Sequence, residues 1–146
     1  MNKFDDRLLE LIGQNARDSS DMLAEKLKVS SATVRRRLKK LIDSDMLRII
    51  GVADPTKFGY PIWVFITMNV VHEKIQTAMD TLVKRKEVIW LAATTGRFDI
   101  VVTARFPSTV ELNEFLRHVL GQIEGIRESE TNVCLDIGKG RFIPFV

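Results

Sequence analysis

The sequence lacks the features that would indicate disulfide bonding, export or membrane insertion. Its single cysteine, Cys134, excludes an internal disulfide framework. The longest apolar run, residues 62–71, is interrupted by Thr67 and Asn69 and is far shorter than the roughly 18 residues that a membrane-spanning helix needs. The first residues, MNKFDDR, carry acidic side chains and lack the apolar core of a signal peptide. We therefore expect a soluble, cytoplasmic protein with no membrane partner.

Motifs for catalysis and metal binding are also missing from the sequence. The two histidines, His72 and His118, are isolated, and no HExxH motif or His–Cys cluster accompanies them. We find no P-loop, GxGxxG or GxSxG motif. Cys134 lies in an apolar stretch and is interpreted as a packing residue. These absences predict a protein that has no catalytic residues, no metal and no cofactor, and that is not an enzyme.

What the sequence does contain is positive charge concentrated in one short segment. Residues 28–48 contain seven Lys or Arg against two Asp, whereas residues 53–146 contain eleven of each sign. A concentrated basic patch is typical of proteins with a polyanionic partner such as nucleic acid. On charge alone, a basic helix face that merely contacts water explains this segment equally well.

Three helices and a strand are predicted in the first 52 residues. The first helix has an apolar stripe at helical spacing, formed by Phe4, Leu8, Leu11 and Ile12. Ser19 or Ser20 is suited to cap the second helix, and Ser30 or Ser31 to cap the third, which ends near Ser44. The apolar segment 46–52 is rich in β-branched residues and predicts a strand.

The second and third helices, joined by the short segment KVS, match a helix–turn–helix. The inner face of the third helix is formed by Val34, Leu38 and Leu41. We predict that the opposite side enters the major groove of DNA, because it offers small residues and then long cations; this side comprises Ser31, Ala32, Arg35, Arg36 and Lys39. Arg37 and Lys40 point sideways and suit phosphates or acidic neighbours. Arg48, on the predicted strand, is a candidate phosphate contact on a wing.

The remainder of the chain predicts a second domain. Two prolines and a glycine in residues 53–61 indicate a linker, which separates a DNA-binding domain (1–52) from a domain over 62–146. Strands are predicted at 61–70, 87–94, 99–106 and 130–137, with helices over 72–86 and after a capping box at Ser108 and Glu111. The order β-α-β-β-α-β is ferredoxin-like. The predicted fold is therefore α+β, with a winged helix–turn–helix followed by a ferredoxin-like domain.

Both faces of the predicted sheet are apolar. In the first strand, Val64 and Ile66 share one face while Trp63 and Phe65 point to the other. In the next strand, one face is predicted to carry Val88, Trp90 and Ala92, and the other Ile89, Leu91 and Ala93. Two helices cover only one face, so the other would expose a large apolar patch. Our hypothesis is that this patch packs against a second subunit; the alternative is coverage by the C-terminal tail or the N-terminal domain.

A polar turn, Thr94–Asp99, joins two apolar strands of this domain. The backbone N–H groups around Gly96 are suited to bind a carboxylate, and Asp99 is suited to pair with an ammonium group. Together they would accommodate a zwitterion such as an amino acid. An ordinary hairpin turn, with Gly96 at positive φ and Asp99 as a cap, explains the same residues.

Over nearly its whole length, the chain resembles the Lrp/AsnC (leucine-responsive, or feast/famine) family of regulators. The segments that carry this resemblance are FDDRLLELIGQNAR, Arg17 to Ala24, VSSATVRRRLKKL, DPTKFGYP, TTGRFDIVVTARFPS and GIRESETNV. The resemblance implies a sequence-specific transcriptional regulator that binds promoter DNA as a dimer or an octamer. It also implies an amino-acid effector bound between C-terminal domains of neighbouring dimers. By position, that effector site would comprise Thr95, Gly96, Arg97 and Asp99, with Thr131 and Asn132 from a neighbouring subunit.

Two positions depart from the family pattern. The third helix usually ends near a glycine, and here Asp43-Ser44-Asp45-Met46 stands at that point, so the acidic residues should weaken phosphate attraction locally. Arg97 occupies a position that is often acidic or small in relatives. It would either favour an anionic effector side chain or close the pocket.

Two other functional classes fit parts of the sequence. Siroheme decarboxylases look similar in fold, and residues 48–51, Arg-Ile-Ile-Gly, echo a motif of theirs. However, the segment NVVHEKIQ has one histidine and no Tyr or Arg, so the proton donors for such chemistry are missing. The third class is a metabolite sensor or scaffold that has lost DNA binding, and the basic third helix argues against it.

Overall fold

The computed structural model describes residues 2–144, and the chain divides after Gly51 into two compact units. The first unit contains helices α1 (Lys3–Gln14), α2 (Ser20–Leu27) and α3 (Ser31–Asp43). No helix in the described part of the chain is long and apolar enough to cross a membrane.

Side-chain caps fix where the three helices of the first unit begin. The side chains of Asn2, Ser19 and Ser30 accept hydrogen bonds from the backbone N–H groups of the first turns of α1, α2 and α3, which have no partner within the helix. The predicted apolar stripes meet in one core. The buried residues of this core are Leu8, Leu11, Ile12, Leu23, Ala24, Val34 and Leu41.

The strand predicted over residues 46–52 is wrong for all but its last residue. After α3 the chain turns through Asp45, which has φ of 54°, and strand β1 covers only Val52–Ala53. Met46, Ile49 and Ile50 are about half exposed, at 56%, 51% and 49%. The β-branched side chains of Ile49 and Ile50 favour a strand only where a partner strand and a packing surface exist. Within residues 46–51 the structure has no strand, so the predicted wing is not formed there.

The second unit is built on a four-stranded antiparallel sheet in the order β3-β4-β2-β5. Its elements are β1 (Val52–Ala53), β2 (Ile62–Val70), α4 (Ile75–Leu82), β3 (Val88–Ala93), β4 (Ile100–Phe106), α5 (Thr109–His118), β5 (Ile126–Val133) and β6 (Ile143–Pro144). Helices α4 and α5 contribute to a core that includes Val64, Ile66 and Val102, all fully buried. This order of elements is the ferredoxin-like arrangement that the sequence predicts.

Several boundaries in this unit differ from prediction. The residues predicted as a linker, 53–61, include Ala53 of β1, which pairs with Ile143 of β6, and a 3-10 helix over Pro55–Phe58. Helix α4 ends at Leu82 rather than continuing to residue 86, and residues 72–74 form a separate 3-10 turn. Strand β5 begins four residues before the strand predicted at 130–137. Its position is set by pairing with β2. The apolar segment around Leu135 lies outside the strand, and Leu135 is fully exposed.

A register irregularity in β3 changes which residues share a face. Val88 lies opposite Ala104, but Trp90 lies opposite Thr103, so Ile89 is an extra residue between them. Val88 and Leu91 therefore both pack against the core. The prediction that Val88 shares a face with Trp90 is wrong, because the bulge resets the alternation of the strand.

Candidate functional site

Helix α3 is held on the first unit by its inner face. Val34 is fully buried and Leu41 is 4% exposed, and Leu38 packs against the same core. The turn before α3 passes through Lys28, which has the left-handed φ of 55°. This turn and the cap at Ser30 set the direction in which α3 leaves α2. The predicted helix–turn–helix geometry thus follows from apolar packing and two local backbone devices.

The opposite side of α3 is open to solvent. Ala32, Arg35, Arg36, Lys39 and Lys40 are all exposed, whereas Ser31 is half-buried. Within the described residues, neither Arg35 nor Arg36 forms an ion pair. The surface therefore presents guanidinium groups beside a small residue, the combination that fits the edges of bases in a major groove.

Arg37 has a different environment from its neighbours. Its Nη2 donates a hydrogen bond of 2.7 Å to one carboxylate oxygen of Asp5, and its Nε donates to the other. Asp5 lies on α1 and is only 6% exposed. The Arg37 hydrogen bonds hold the pKa of Asp5 below its ordinary value. Arg37 therefore joins α3 to α1, and the fork of its guanidinium is occupied by this carboxylate.

Three further residues of the predicted DNA-binding set have acidic neighbours. Lys39 Nζ lies 2.9 Å from Asp43 Oδ2, one turn along the same helix. Arg48 lies 3.7 Å from Asp45. The Ser31 hydroxyl donates to Asp21 on α2. The pairs of Lys39 and Arg48 are highly exposed and thus weak, so a phosphate is able to compete for either cation.

The turn at Gly96 lies between β3 and β4. Gly96 has φ of 110°, a conformation that favours glycine. Thr94 N donates to Asp99 O at 2.9 Å, and Thr94 Oγ1 donates to Phe98 O at 2.8 Å. Thr95 and Gly96 are exposed at the tip. The turn is thus closed by its own hydrogen bonds and leaves its tip facing solvent.

Asp99 fastens this turn to strand β2. Its backbone N–H donates to Met68 O at 3.0 Å, and its carboxylate Oδ2 accepts from the buried Val70 N–H at 2.8 Å. One carboxylate oxygen is therefore committed to the backbone of the sheet. This contact favours the interpretation of Asp99 as a cap over that of a free counter-ion for an ammonium group.

Arg97 approaches strand β5 instead. Its Nη2 lies 3.9 Å from Glu128 Oε1, and its guanidinium carbon lies 5.0 Å from the centre of the Phe98 ring. Glu128 was not predicted from the sequence, because its position near the turn depends on the pairing of β5 with β2. The alternation of charged and polar residues in RESETN was the only available signal.

Thr131 and Asn132 are adjacent in β5 and therefore point to opposite faces of the sheet. Thr131 lies opposite Ile66, on the face of the helices, and lines an open cleft of about 380 Å³ beside Leu116 and Ile123. Asn132 lies opposite Phe65, on the other face. Within one chain, the structure brings neither residue to the turn at Gly96.

The sheet face that lacks helices carries an aromatic patch. Phe65 and Trp90 flank Thr103 from the two neighbouring strands, and they are 45% and 52% exposed. Trp63 on the same face is 8% exposed, and it lies opposite Arg105, whose guanidinium carbon is 5.0 Å from the centre of the Tyr60 ring. This face is therefore closed at the Trp63 end and open around Phe65 and Trp90. We define the patch as Phe65, Trp90 and Thr103.

Comparisons with known proteins match both units. Residues 1–42 match the model of the AsnC-type helix–turn–helix domain, and residues 63–142 match that of the Lrp/AsnC ligand binding domain. An uncharacterised HTH-type transcriptional regulator of Pyrococcus furiosus is 33% identical over 95% of this chain and 95% of its own.

Solved structures show the same fold. Escherichia coli AsnC superposes with a TM-score of 0.87 at 25% identity, over 96% of this chain and 95% of its own. A Neisseria meningitidis transcriptional regulator in complex with L-Met superposes with a TM-score of 0.88 at 22% identity, over 96% and 93% of the two chains. The Pyrococcus and Neisseria proteins are named as transcriptional regulators and not as enzymes, which agrees with the missing catalytic motifs. Within residues 2–144, no cluster of His, Cys, Asp or Glu is arranged to hold a metal ion.

Proposed function

We propose that α3 recognises a specific operator sequence. The chain belongs to the Lrp/AsnC family and is a DNA-binding transcriptional regulator. The observation that carries this proposal is the exposed side of α3, where Arg35 and Arg36 stand beside Ala32 without ion-pair partners among the described residues. Small residues allow the helix backbone to approach the bases, and each guanidinium is able to donate two parallel hydrogen bonds to a guanine. Arg36 and Arg35 are thus the proposed base contacts.

The other cations have supporting roles in this proposal. Lys39, Lys40 and Arg48 contact phosphates in this proposal: the exposed lysines carry point charges without a guanidinium fork, and the exposed Arg48 lies beyond the end of α3. Ser31 contacts DNA at the N-terminal end of α3, once its hydroxyl has exchanged its hydrogen bond to Asp21 for one to the DNA. Arg37 remains paired with Asp5 and orients α3 rather than contacting DNA.

A footprint on the DNA upstream of the protein's own gene provides the operator for the test. Arg36→Ala should weaken operator binding by about 1–3 kcal/mol and relax specificity at one base position. Lys39→Ala should instead lower binding to all sequences and reduce its salt dependence. Arg7→Ala is the matched control, because Arg7 is an exposed arginine of the same unit on α1. An Arg36→Ala variant that binds the operator as tightly as Arg7→Ala removes Arg36 from the recognition surface.

The second part of the proposal is an amino-acid effector bound at the Gly96 turn, between C-terminal domains of neighbouring dimers. The match to the Lrp/AsnC ligand binding domain supports it, as does a structural neighbour solved with L-Met. Since Thr131 and Asn132 lie away from the turn of their own chain, a neighbouring subunit is the source from which they would complete the site. A thermal-shift screen with each of the twenty amino acids tests this: no shift with any of them refutes the effector.

We also propose that the protein associates with itself through the aromatic patch. Burial of Phe65 and Trp90 against the same residues of a second copy would remove a large apolar area from water. Light scattering at micromolar concentration should give at least a dimer, and Trp90→Lys should shift the population towards the monomer. A wild-type monomer at this concentration contradicts the proposal.

A further inference from the structure

Arg97 and Glu128 form an open ion pair, by which we mean that the two charged groups are not hydrogen-bonded to each other. The separation of 3.9 Å between Arg97 Nη2 and Glu128 Oε1 exceeds the distance of a hydrogen bond. Both side chains are largely exposed, at 73% and 56%. The two opposite charges are therefore close, yet neither group satisfies the hydrogen-bonding capacity of the other.

Each charged group is held in place by a neutral neighbour. Asn69 Nδ2 donates to Glu128 Oε2 at 3.1 Å, which orients the carboxylate and leaves Oε1 on the side of Arg97. The Phe98 ring lies under the guanidinium of Arg97 at 5.0 Å, a contact that favours this position of the cation. These contacts hold the two side chains in position and do not involve Arg97 Nη2 or Glu128 Oε1, the atoms that face each other.

The space beside the pair is also open. No heavy atom lies within 4 Å of the position that a Cβ would occupy on Gly96. Asn69 lies four residues along β2 from Phe65, or about 13 Å at the rise of a strand, and Glu128 lies opposite Asn69 on β5. The ion pair is therefore at the turn end of the sheet, away from the aromatic patch.

We propose that Arg97 and Glu128 recognise the two charged ends of a free amino acid, with Arg97 donating to its carboxylate and Glu128 accepting from its ammonium group. This inference rests on the proposed effector function and adds to it a binding residue, Glu128, and a ligand requirement. Glu128 rather than Asp99 takes the ammonium in this arrangement, since Asp99 Oδ2 already accepts from the Val70 N–H. A free amino acid satisfies both partners, whereas an N-acylated or amidated one leaves one charge unpaired.

A simple surface bridge between the turn and β5 would have the same geometry without a ligand. Such a bridge contributes roughly 0–1 kcal/mol to stability and nothing to discrimination between an amino acid and its derivatives. Discrimination is therefore the property that separates the two roles.

The experiment is isothermal titration of the full chain with whichever of the twenty amino acids binds it, and with the N-acetyl and the amide forms of that amino acid. The wild type should bind the free amino acid and lose at least tenfold in affinity for each derivative. Glu128→Gln should weaken binding of the free amino acid about tenfold or more and discriminate less against the N-acetyl form. Arg97→Gln should do the same with respect to the amide form.

Two matched controls lie outside the pair. Glu124→Gln removes the same charge from an exposed carboxylate whose partner is Lys74. Arg127→Gln removes an exposed arginine next to Glu128. Both variants should bind the amino acid as the wild type does.

The outcomes separate this inference from the function on which it rests. If none of the twenty amino acids binds the wild type, the effector function and this inference are both overturned. If one binds, but Glu128→Gln and Arg97→Gln match their controls in affinity and in discrimination, only the recognition by the ion pair is overturned.

Discussion

Two regions of the molecule place an arginine against a carboxylate, and the two pairs have different consequences. In the first unit, Arg37 binds Asp5 through two hydrogen bonds, and Asp5 is buried. In the second, Arg97 stands 3.9 Å from Glu128 in solvent. A buried, fully hydrogen-bonded pair fixes helices and loses its capacity for ligands, whereas an exposed and open pair retains it. The sequence places both arginines among the predicted site residues, and the structure distinguishes them by burial and by hydrogen bonding.

The largest effect is expected from breaking the buried pair. Asp5→Ala leaves the half-buried Arg37 without its carboxylate, and removal of one partner from such a pair is strongly destabilising. We expect the Tm of the first unit to fall by several degrees in a calorimetric scan. Glu10→Ala is the control, because Glu10 pairs with Arg7 on the solvent side of the same helix. Equal Tm values for the two variants would show that the Asp5–Arg37 pair is not a support of α3.

Acid should reproduce part of this effect. Arg37 lowers the pKa of Asp5 below the ordinary value of 3.8. A carboxyl group with a lowered folded-state pKa stabilises the fold above its unfolded-state pKa, and this contribution is lost as the pH falls through the folded-state value. The wild type should therefore lose stability below about pH 4 through this group, and Asp5→Asn should lack that part of the loss. Parallel pH profiles of the Tm would show no difference if Asp5 does not contribute.

A smaller effect is expected at Asp99. Asp99→Ala leaves the buried Val70 N–H without its acceptor, at a cost of about 1–3 kcal/mol. It should lower the Tm of the second unit, abolish the amino-acid response because the Gly96 turn loses this attachment to β2, and leave self-association intact. Asp80→Ala, which removes an exposed carboxylate from α4, is the control. A variant at Asp99 that keeps its effector response would mean that the turn is not part of the effector site.

The smallest effect on stability is expected at the open pair. Exposed ion pairs contribute roughly 0–1 kcal/mol and are screened by salt, so Arg97→Gln and Glu128→Gln should leave the Tm nearly unchanged. A loss of stability comparable to that of Asp5→Ala would contradict this expectation, because the open pair would then be a structural support.

Local patterns were sufficient to predict most of the fold. The stripe at Leu8 and Leu11, the serine caps, and the alternation of Val64 and Ile66 each arise from nearest neighbours in a helix or a strand, which a sequence displays directly. The order of elements in the second unit follows from the same patterns. Positions that depend on a partner strand were not predictable: the absence of a wing at Ile49 and Ile50, the shift of β5 and the bulge at Ile89.

The candidate sites divide in the same way. Helical periodicity separates Val34 from Arg36 and also places Arg37 to the side, next to an acidic neighbour that the sequence does not identify. Asp5 is 32 residues away from Arg37 in sequence, so only the packing of α1 against α3 reveals the pair. Glu128 was missed for the same reason, since strand pairing between β2 and β5 brings it near Arg97.

The most direct test compares the adjacent arginines Arg36 and Arg37, each changed to Gln, in competition between operator and non-operator DNA well below the Tm of both variants. Arg36→Gln should reduce the ratio of operator to non-operator affinity by about tenfold or more, because its side chain faces the groove. Arg37→Gln should keep that ratio within about twofold of the wild type despite its lower Tm, because its side chain faces Asp5. If Arg37→Gln loses discrimination while Arg36→Gln retains it, the assignment of the DNA-reading face of α3 is wrong.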